Sequence, residues 1–220
     1  EVSGDRSVRL HTFVHNGIMI LRDNRAFRWF CVGTFVFGFA NAMIQPAYVI
    51  YQVQIGVGTD WAGVYAIIAA SIMTVAYFHW GGIIDKKSPP GLMATQALCW
   101  VSIPLIYCIA SRPWMLLPVY LVSGILLAGV ELVFFNGVLH FAPRERITHY
   151  QAVFLTIMAA AGLIGPLVGA AMLQSRILPM KVMFLMTGLM IASSGLILMV
   201  GMRRYDRPNA AEDRPPDASS

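Results

Sequence analysis

Six long apolar runs make up most of this chain of 220 residues, and only one acidic residue, Glu131, lies inside any of them. Each run is close to the roughly 20 residues that a helix needs to cross a bilayer. A carboxylate in hydrocarbon costs about 2.5–3.5 kcal/mol on translocon scales, so such a group is usually kept for work on ions, protons or polar solutes. The pattern predicts a polytopic membrane protein with a sparse polar interior.

The predicted fold class is an all-α membrane protein with six transmembrane helices. Hydrophobic residues are 57% of the chain and charged residues only 12%, which is unlike a soluble domain. Strands of a β-barrel would be about half as long and would alternate in polarity, so a barrel is excluded. We predict a cytoplasmic amphipathic segment over 1–26, a transmembrane domain over 27–202 and a disordered cytoplasmic tail over 203–220. The predicted spans are 27–51, 61–84, 92–110, 114–139, 152–173 and 182–202.

The basic residues predict the orientation of these spans. Thirteen of the 16 lysines and arginines fall on the side where the chain starts, and only Arg112, Arg176 and Lys181 fall on the other. By the positive-inside rule both termini are cytoplasmic. This asymmetry accounts for the net charge of +5 without a nucleic-acid partner. We expect a multi-pass protein of the plasma membrane, which in a bacterium is the inner membrane.

Residue types that would indicate an enzyme or a metal site are sparse. His11 and His15 have ligand spacing, but no third ligand is near them in sequence, so we interpret both as interfacial side chains. All three cysteines fall in apolar runs and are interpreted as small buried hydrophobes. We therefore expect no enzymatic activity, no cofactor and no metal.

A polar stripe follows one face of the first predicted span. Its members are Asn41, Gln45, Tyr48 and Gln52, and Thr34 extends the stripe inward. Pro46 interrupts the same helix and leaves a backbone carbonyl to be satisfied by another group. One polar residue would fit a simple interhelical hydrogen bond, whereas four on one face favour the lining of a wet cavity.

Glu131 lies in the fourth predicted span, a few residues to the cytoplasmic side of its midpoint. There it could bind a proton, a cation or a cationic group of a substrate, so we predict a role in proton or cation coupling. The alternative is a structural, hydrogen-bonded glutamate. Asn136 and His140 follow toward the cytoplasm and could extend a polar path.

Small residues on two other spans predict close helix packing. In the second span Gly63, Ala66, Ala70, Thr74, Tyr77 and Gly81 share roughly one face, and all of them except Tyr77 are small. In the fifth span the corresponding helix-packing motif is Gly162, Gly165, Pro166 and Gly169.

Several of these residues resemble motifs of the major facilitator superfamily. Gly81, Asp85 and Lys86 match its cytoplasmic motif between the second and third helices of a half, although Ser88 replaces the second glycine and prolines replace the trailing bases. The segments 143–146 and 162–169 are similar to its basic segment and its glycine–proline helix, and 21–27 resembles the junction after its central loop. The fourth span lacks the arginine motif of first halves, so the chain looks like a C-terminal six-helix half.

The resemblance implies two six-helix halves around a central path, with the first and fourth helices of each half lining it. It also implies a cytoplasmic gate at Asp85, which we predict faces the start of the fifth span. A complete member has twelve spans, so we expect as partner a missing N-terminal half or, as the alternative, a second copy of this chain.

The leading hypothesis is a secondary transporter in the lipid bilayer that moves a small-molecule substrate by alternating access, coupled to protons or acting as an exporter. The alternative is a non-transporting membrane scaffold or assembly protein in which the polar stripe bonds other helices.

Overall fold

The computed structural model describes residues 16–84 and 89–203, and this part of the chain is helical with no strand. It contains six helices that are long and apolar enough to cross a membrane, which confirms the predicted fold class and number of spans. The gate residues Asp85 and Lys86, both histidines of the first segment and the predicted tail from residue 204 lie outside the described residues.

The six spans have the following bounds. Span 1 is Arg25–Gln54, span 2 is Thr59–Ile84, span 4 is Leu117–Phe141, span 5 is Ile147–Ser175 and span 6 is Met180–Arg203. Span 3 consists of two helices, Pro89–Trp100 and Ser102–Ile109. Short 3₁₀ turns, Pro113–Leu116 and Arg144–Arg146, lead into spans 4 and 5.

Span 3 is broken at Val101 because of a proline that follows it. Pro104 has no N–H, so it cannot donate to the carbonyl of Trp100 as a regular helix requires. The N–H of Val101 bonds instead to the carbonyl of Leu98, at 3.2 Å, which is a tighter 3₁₀-type connection. By contrast, span 1 continues as a helix through Pro46 and span 5 through Pro166.

The spans pack in a bundle in which span 1 contacts spans 5 and 6, span 3 contacts spans 4 and 6, and span 2 packs on span 4. Span 2 is the most open of them, because Tyr65 and Ala76 are its only buried residues in the described part. Apart from Tyr77, the face predicted on span 2 is therefore not packed inside this bundle: a side chain added at Gly63 or Gly81 would meet nothing within 4 Å.

Asn24 fixes the point where the chain enters span 1. Its Oδ1 accepts a hydrogen bond from the N–H of Phe27 at 2.9 Å, so it is the N-cap of the helix. Its Nδ2 donates to the carbonyl of Phe141 at 3.1 Å and to the hydroxyl of Tyr150 at 3.4 Å. One amide thus joins the start of span 1 to the end of span 4 and the start of span 5. The preceding residues 16–23 are helical.

Candidate functional site

The carboxylate of Glu131 has a partner on a neighbouring span. The hydroxyl of Tyr77 in span 2 donates a hydrogen bond to its Oε2. Within the described residues no other group bonds to Glu131, so Oε1 is left for a further ligand. Glu131 is exposed on the surface of the six-helix bundle and Tyr77 is half-buried. The acid is therefore held in place from one side and accessible from the other.

Two glycines of span 4 allow span 2 to come this close. A Cβ at Gly124 would lie 2.8 Å from the carbonyl oxygen of Ala69, and one at Gly129 would overlap the Trp80 ring and the Gln96 amide. The indole N–H of Trp80 donates to the carbonyl of Ile125 at 2.8 Å. These contacts fix the register of the two helices on the N-terminal side of Glu131, so the meeting of Tyr77 and Glu131 follows from the packing.

A phenol that donates to a carboxylate gives a charge-assisted hydrogen bond, which is shorter and stronger than a neutral one. If the carboxyl takes up a proton, the phenol oxygen can accept instead, because a hydroxyl is both donor and acceptor. The pair can therefore persist in both protonation states of the acid while its strength changes. Such a pair can bind and release a proton or a cation while the two side chains stay hydrogen-bonded to each other.

The polar stripe of span 1 divides between two environments. Gln45 is exposed and Asn41 is half-buried, and the amide of Asn41 donates to the carbonyl of Phe37 at 3.2 Å on its own helix. Tyr48 is only 7% exposed. Thr34 is fully buried, and its hydroxyl donates to the carbonyl of Phe30 at 2.9 Å. The structure therefore brings only Asn41 and Gln45 to the surface in the middle of the span.

Tyr48 and the last stripe residue, Gln52, belong to an aromatic cluster. The ring of Tyr48 stacks on Tyr107 with centroids 4.1 Å apart and lies 5.5 Å from Phe184. The amide of Gln52 donates to the hydroxyls of Tyr107 at 2.6 Å and Tyr120 at 2.9 Å. These contacts join spans 1, 3, 4 and 6 at their predicted outer ends.

Two further tyrosine hydroxyls bond to backbone carbonyls at the same end of the bundle. That of Tyr51 donates to the carbonyl of Ala110 at 2.5 Å, and that of Tyr65 donates to the carbonyl of Pro113 at 2.6 Å. Tyr65 also stacks on Tyr120 with centroids 4.2 Å apart. This cluster was not predicted from the sequence, although tyrosines near span ends are typical of membrane interfaces and could have indicated it.

The other predicted polar residues of span 4 have local roles. The amide of Asn136 donates to the carbonyl of Leu132 at 2.8 Å, one turn back in the same helix. His140 is exposed and meets the ring of Phe141 edge-on with centroids 5.0 Å apart. Neither side chain contacts Glu131, so the described residues form no continuous polar chain from the acid along this helix.

The glycine motif of span 5 packs against the backbone of span 1. A Cβ at Gly165 would lie 3.0 Å from the backbone nitrogen of Met43, and one at Gly169 would overlap the carbonyl oxygen of Met43. Gly162 is different, since nothing lies within 4 Å of the position of its missing Cβ. The close approach of spans 1 and 5 therefore depends on Gly165 and Gly169.

Metal ligands are not grouped in the described part of the chain, where no set of three or more His, Cys, Asp or Glu side chains could hold an ion. Of the three cysteines, Cys31 is buried, Cys99 is exposed and Cys108 is intermediate.

The sequence of this chain matches a family model and a curated protein. The family model described as Major Facilitator Superfamily matches residues 10–219. The protein named "Multidrug resistance protein MdtG" from Enterobacter lignolyticus (strain SCF1) is 24% identical over 198 residues, which cover 87% of this chain and 46% of that protein. The chain thus spans about half the length of this curated relative.

Proposed function

Because this chain belongs to the major facilitator superfamily, we propose that it is the C-terminal half of a secondary transporter that moves small solutes by alternating access. The predicted orientation puts both its termini on the cytoplasmic side of the plasma membrane. The observation that supports the proposal most is the exposed carboxylate of Glu131, the one acidic residue of span 4, which is held by a hydrogen bond from Tyr77.

In this proposal Glu131 binds the driving proton or cation, and Tyr77 positions it. Span 4 is one of the two helices that the family resemblance assigns to the central path, and span 1 is the other. Asn41 and Gln45 supply polar groups on span 1, and the tyrosine cluster keeps the outer ends of the spans together while the two halves of the protein rock. Transport rather than chemistry is then the activity of the site.

The direction of transport in the proposal is outward. The relative in Enterobacter is named as a multidrug resistance protein, and removal of drugs from the cell is the simplest route by which a transporter confers resistance. We extend that direction to this chain as a proposal, with proton entry as the driving reaction.

The partner of this half is proposed to be another six-helix half. The open face of span 2 carries small residues, among them Gly63, Ala66 and Ala70, all of which are exposed. Small side chains let helices from a partner come close when no hydrophobic effect draws them together in lipid. The missing half is expected to supply those helices.

A flux assay on the full-length protein tests the proposal. The protein would be reconstituted in liposomes, a proton gradient imposed, and the movement of ethidium and rhodamine 6G followed by fluorescence. Gradient-dependent movement of either dye, absent from protein-free liposomes, is the expected result. If neither dye nor a wider panel of small solutes moves, the protein acts as a scaffold.

The scaffold alternative has one observation in its favour. The amide of Gln52 donates to two tyrosine hydroxyls, one on span 3 and one on span 4. A polar stripe whose only role is to join helices would make bonds of this kind. Asn41 and Gln45 make no such interhelical bond among the described residues. Their exposure to water can therefore distinguish a transporter from a scaffold.

Thiol labelling separates a wet face from a packed one. In a background without native cysteines, we expect a cysteine at position 45, and more slowly one at position 41, to react with a membrane-impermeant maleimide in at least one conformational state. A cysteine in place of Tyr48 is the control and should be protected, because that side chain is 7% exposed. Protection of positions 41 and 45 in every state would favour the scaffold.

Substitution of Tyr77 by phenylalanine tests its positioning role. Phenylalanine keeps the ring but removes the hydrogen bond that the Tyr77 hydroxyl gives to Glu131. The carboxyl is then no longer held in one position, so gradient-driven dye movement should slow about tenfold. Thr74→Val is the matched control, because the Thr74 hydroxyl bonds only to the carbonyl of Ala70 in its own helix. An unchanged rate of dye movement in the Tyr77 variant would remove this role.

A further inference from the structure

A polar cavity of about 310 Å³ lies at the predicted cytoplasmic end of the bundle, well away from Glu131. The helical segment 16–23 forms one wall, and the start of span 5 forms the other. The volume is at the lower end of the roughly 300–1,000 Å³ of small-molecule sites. The cavity is therefore large enough for a polar head group rather than for one or two waters.

Its walls carry charges of both signs. Asp23 lies on the first wall, and Arg146 and His149 lie on the second. Within the described residues neither Asp23 nor Arg146 forms an ion pair. Opposite charges that face one cavity without pairing with each other are suited to a ligand that carries both an anionic and a cationic group.

The walls are held in fixed relation to each other. Asn24 bonds both the carbonyl of Phe141 and the hydroxyl of Tyr150, and the ring of Tyr150 lines the cavity. The side chain of Ile20 is 8% exposed and belongs to the same apolar cluster as Tyr150. Gly17 lies against Val153, since a Cβ there would be 3.3 Å from its Cγ2. Segment 16–23 is thus docked on span 5 by packing, and the hydrogen bond from Asn24 to Tyr150 holds the residue that follows it.

We propose that this cavity binds the head group of a zwitterionic phospholipid with a primary ammonium, that is, a phosphatidylethanolamine. The phosphate would lie against Arg146 and His149, and the ammonium would donate to the carboxylate of Asp23. The glycerol end would leave along the apolar side chain of Met19, which is 47% exposed beside the cavity.

The location favours a lipid over a soluble ligand. Both walls lie where apolar spans begin, which places the cavity at the depth of the polar head groups of the bilayer. A choline head group has a quaternary ammonium with no N–H to donate, so it would lose the bond to Asp23. A phosphatidylglycerol would leave Asp23 facing an anionic lipid without a cationic partner.

Native mass spectrometry of the full-length protein tests the proposal. After delipidation the protein would be offered equal amounts of phosphatidylethanolamine, phosphatidylcholine and phosphatidylglycerol with the same acyl chains. We expect phosphatidylethanolamine to be bound about tenfold more tightly than either competitor, which corresponds to one good hydrogen bond. A separate arm with phosphoethanolamine at the same concentration should show far weaker binding, because it lacks the acyl chains.

Substitutions of Asp23 and Arg146 test which group of the lipid each side chain binds. Asp23→Asn should remove the preference for phosphatidylethanolamine over phosphatidylcholine, and Arg146→Gln should weaken the binding of all three lipids about tenfold. Arg144→Gln is the matched control, since Arg144 is exposed on the same turn but does not line the cavity. If Arg146→Gln does not fold, as judged by its melting curve, His149→Gln tests the phosphate contact in its place.

Three outcomes would overturn the proposal. Phosphatidylglycerol could bind as tightly as phosphatidylethanolamine, which would mean that the site recognises negative charge alone. The preference could survive both Asp23→Asn and Arg146→Gln, which would place the lipid elsewhere. Phosphoethanolamine could bind as tightly as the lipid, which would identify a soluble ligand. None of these results depends on whether the protein transports a solute.

Discussion

Replacing Glu131 by glutamine is expected to abolish uphill transport while leaving downhill exchange intact. Glutamine keeps the shape of the side chain and can still accept the Tyr77 hydroxyl, but it cannot bind and release a proton. A gradient of about one pH unit supplies about 1.4 kcal/mol per proton, enough for roughly tenfold accumulation of a solute coupled to one proton. We expect that ratio to fall to about one in the variant, measured with dyes in proteoliposomes.

The same variant distinguishes a coupling acid from a substrate-binding acid. If Glu131 binds a cationic substrate directly, both accumulation and exchange should fail, and the affinity for the substrate should drop. Glu145→Gln is the matched control, because Glu145 is an exposed acid in the turn before span 5. Normal accumulation by the Glu131 variant would mean that Glu131 has only a structural role.

The number of spans could be predicted from the sequence because length and apolar composition alone decide whether a helix can cross a bilayer. Which helices touch could not be predicted in the same way. Tyr77 shows the difficulty, because by spacing alone it belonged to a face of small residues suited to packing. Its hydrogen bond is to an acid 54 residues further along the chain. That contact depends on glycines of span 4, which let span 2 come close.

The polar stripe shows a second limit of spacing arguments. Helical periodicity put Tyr48 and Gln52 on the same face as Asn41 and Gln45, but it says nothing about where neighbouring helices end. At the outer end of span 1, the hydroxyls of Tyr107 on span 3 and Tyr120 on span 4 accept hydrogen bonds from the amide of Gln52. The stripe thus passes from an open surface into a packed one along its length. Whether its inner part lines a path for solutes stays a prediction.

Asn24 illustrates information that a sequence holds but that a motif match does not reveal. The family resemblance placed it in the junction after a central loop. Its position just before an apolar run fits an N-cap, which Asn favours. Its two further bonds, to Phe141 and Tyr150, depend on long-range packing and could not be inferred without the structure. The same packing creates the cavity between segment 16–23 and span 5.

Replacing Gly169 by alanine is expected to have the largest effect on stability of any single methyl group added to the bundle. The new Cβ would overlap the carbonyl oxygen of Met43 and lie 2.8 Å from its carbonyl carbon. A backbone cannot rotate away as a flexible side chain can, so span 5 would have to move off span 1. Overpacking of this kind costs about 1–3 kcal/mol and occasionally more, and we expect the upper end of that range.

The matched control is Gly162→Ala on the same helix. No atom lies within 4 Å of its added Cβ, and alanine is favoured over glycine in a helix by about 1 kcal/mol. Size-exclusion chromatography of detergent-solubilised protein after heating should therefore show a lowered melting temperature for Gly169→Ala and an unchanged or raised one for Gly162→Ala. Equal melting temperatures for the two variants would mean that spans 1 and 5 do not meet backbone to backbone, and the role given to this glycine would have to be abandoned.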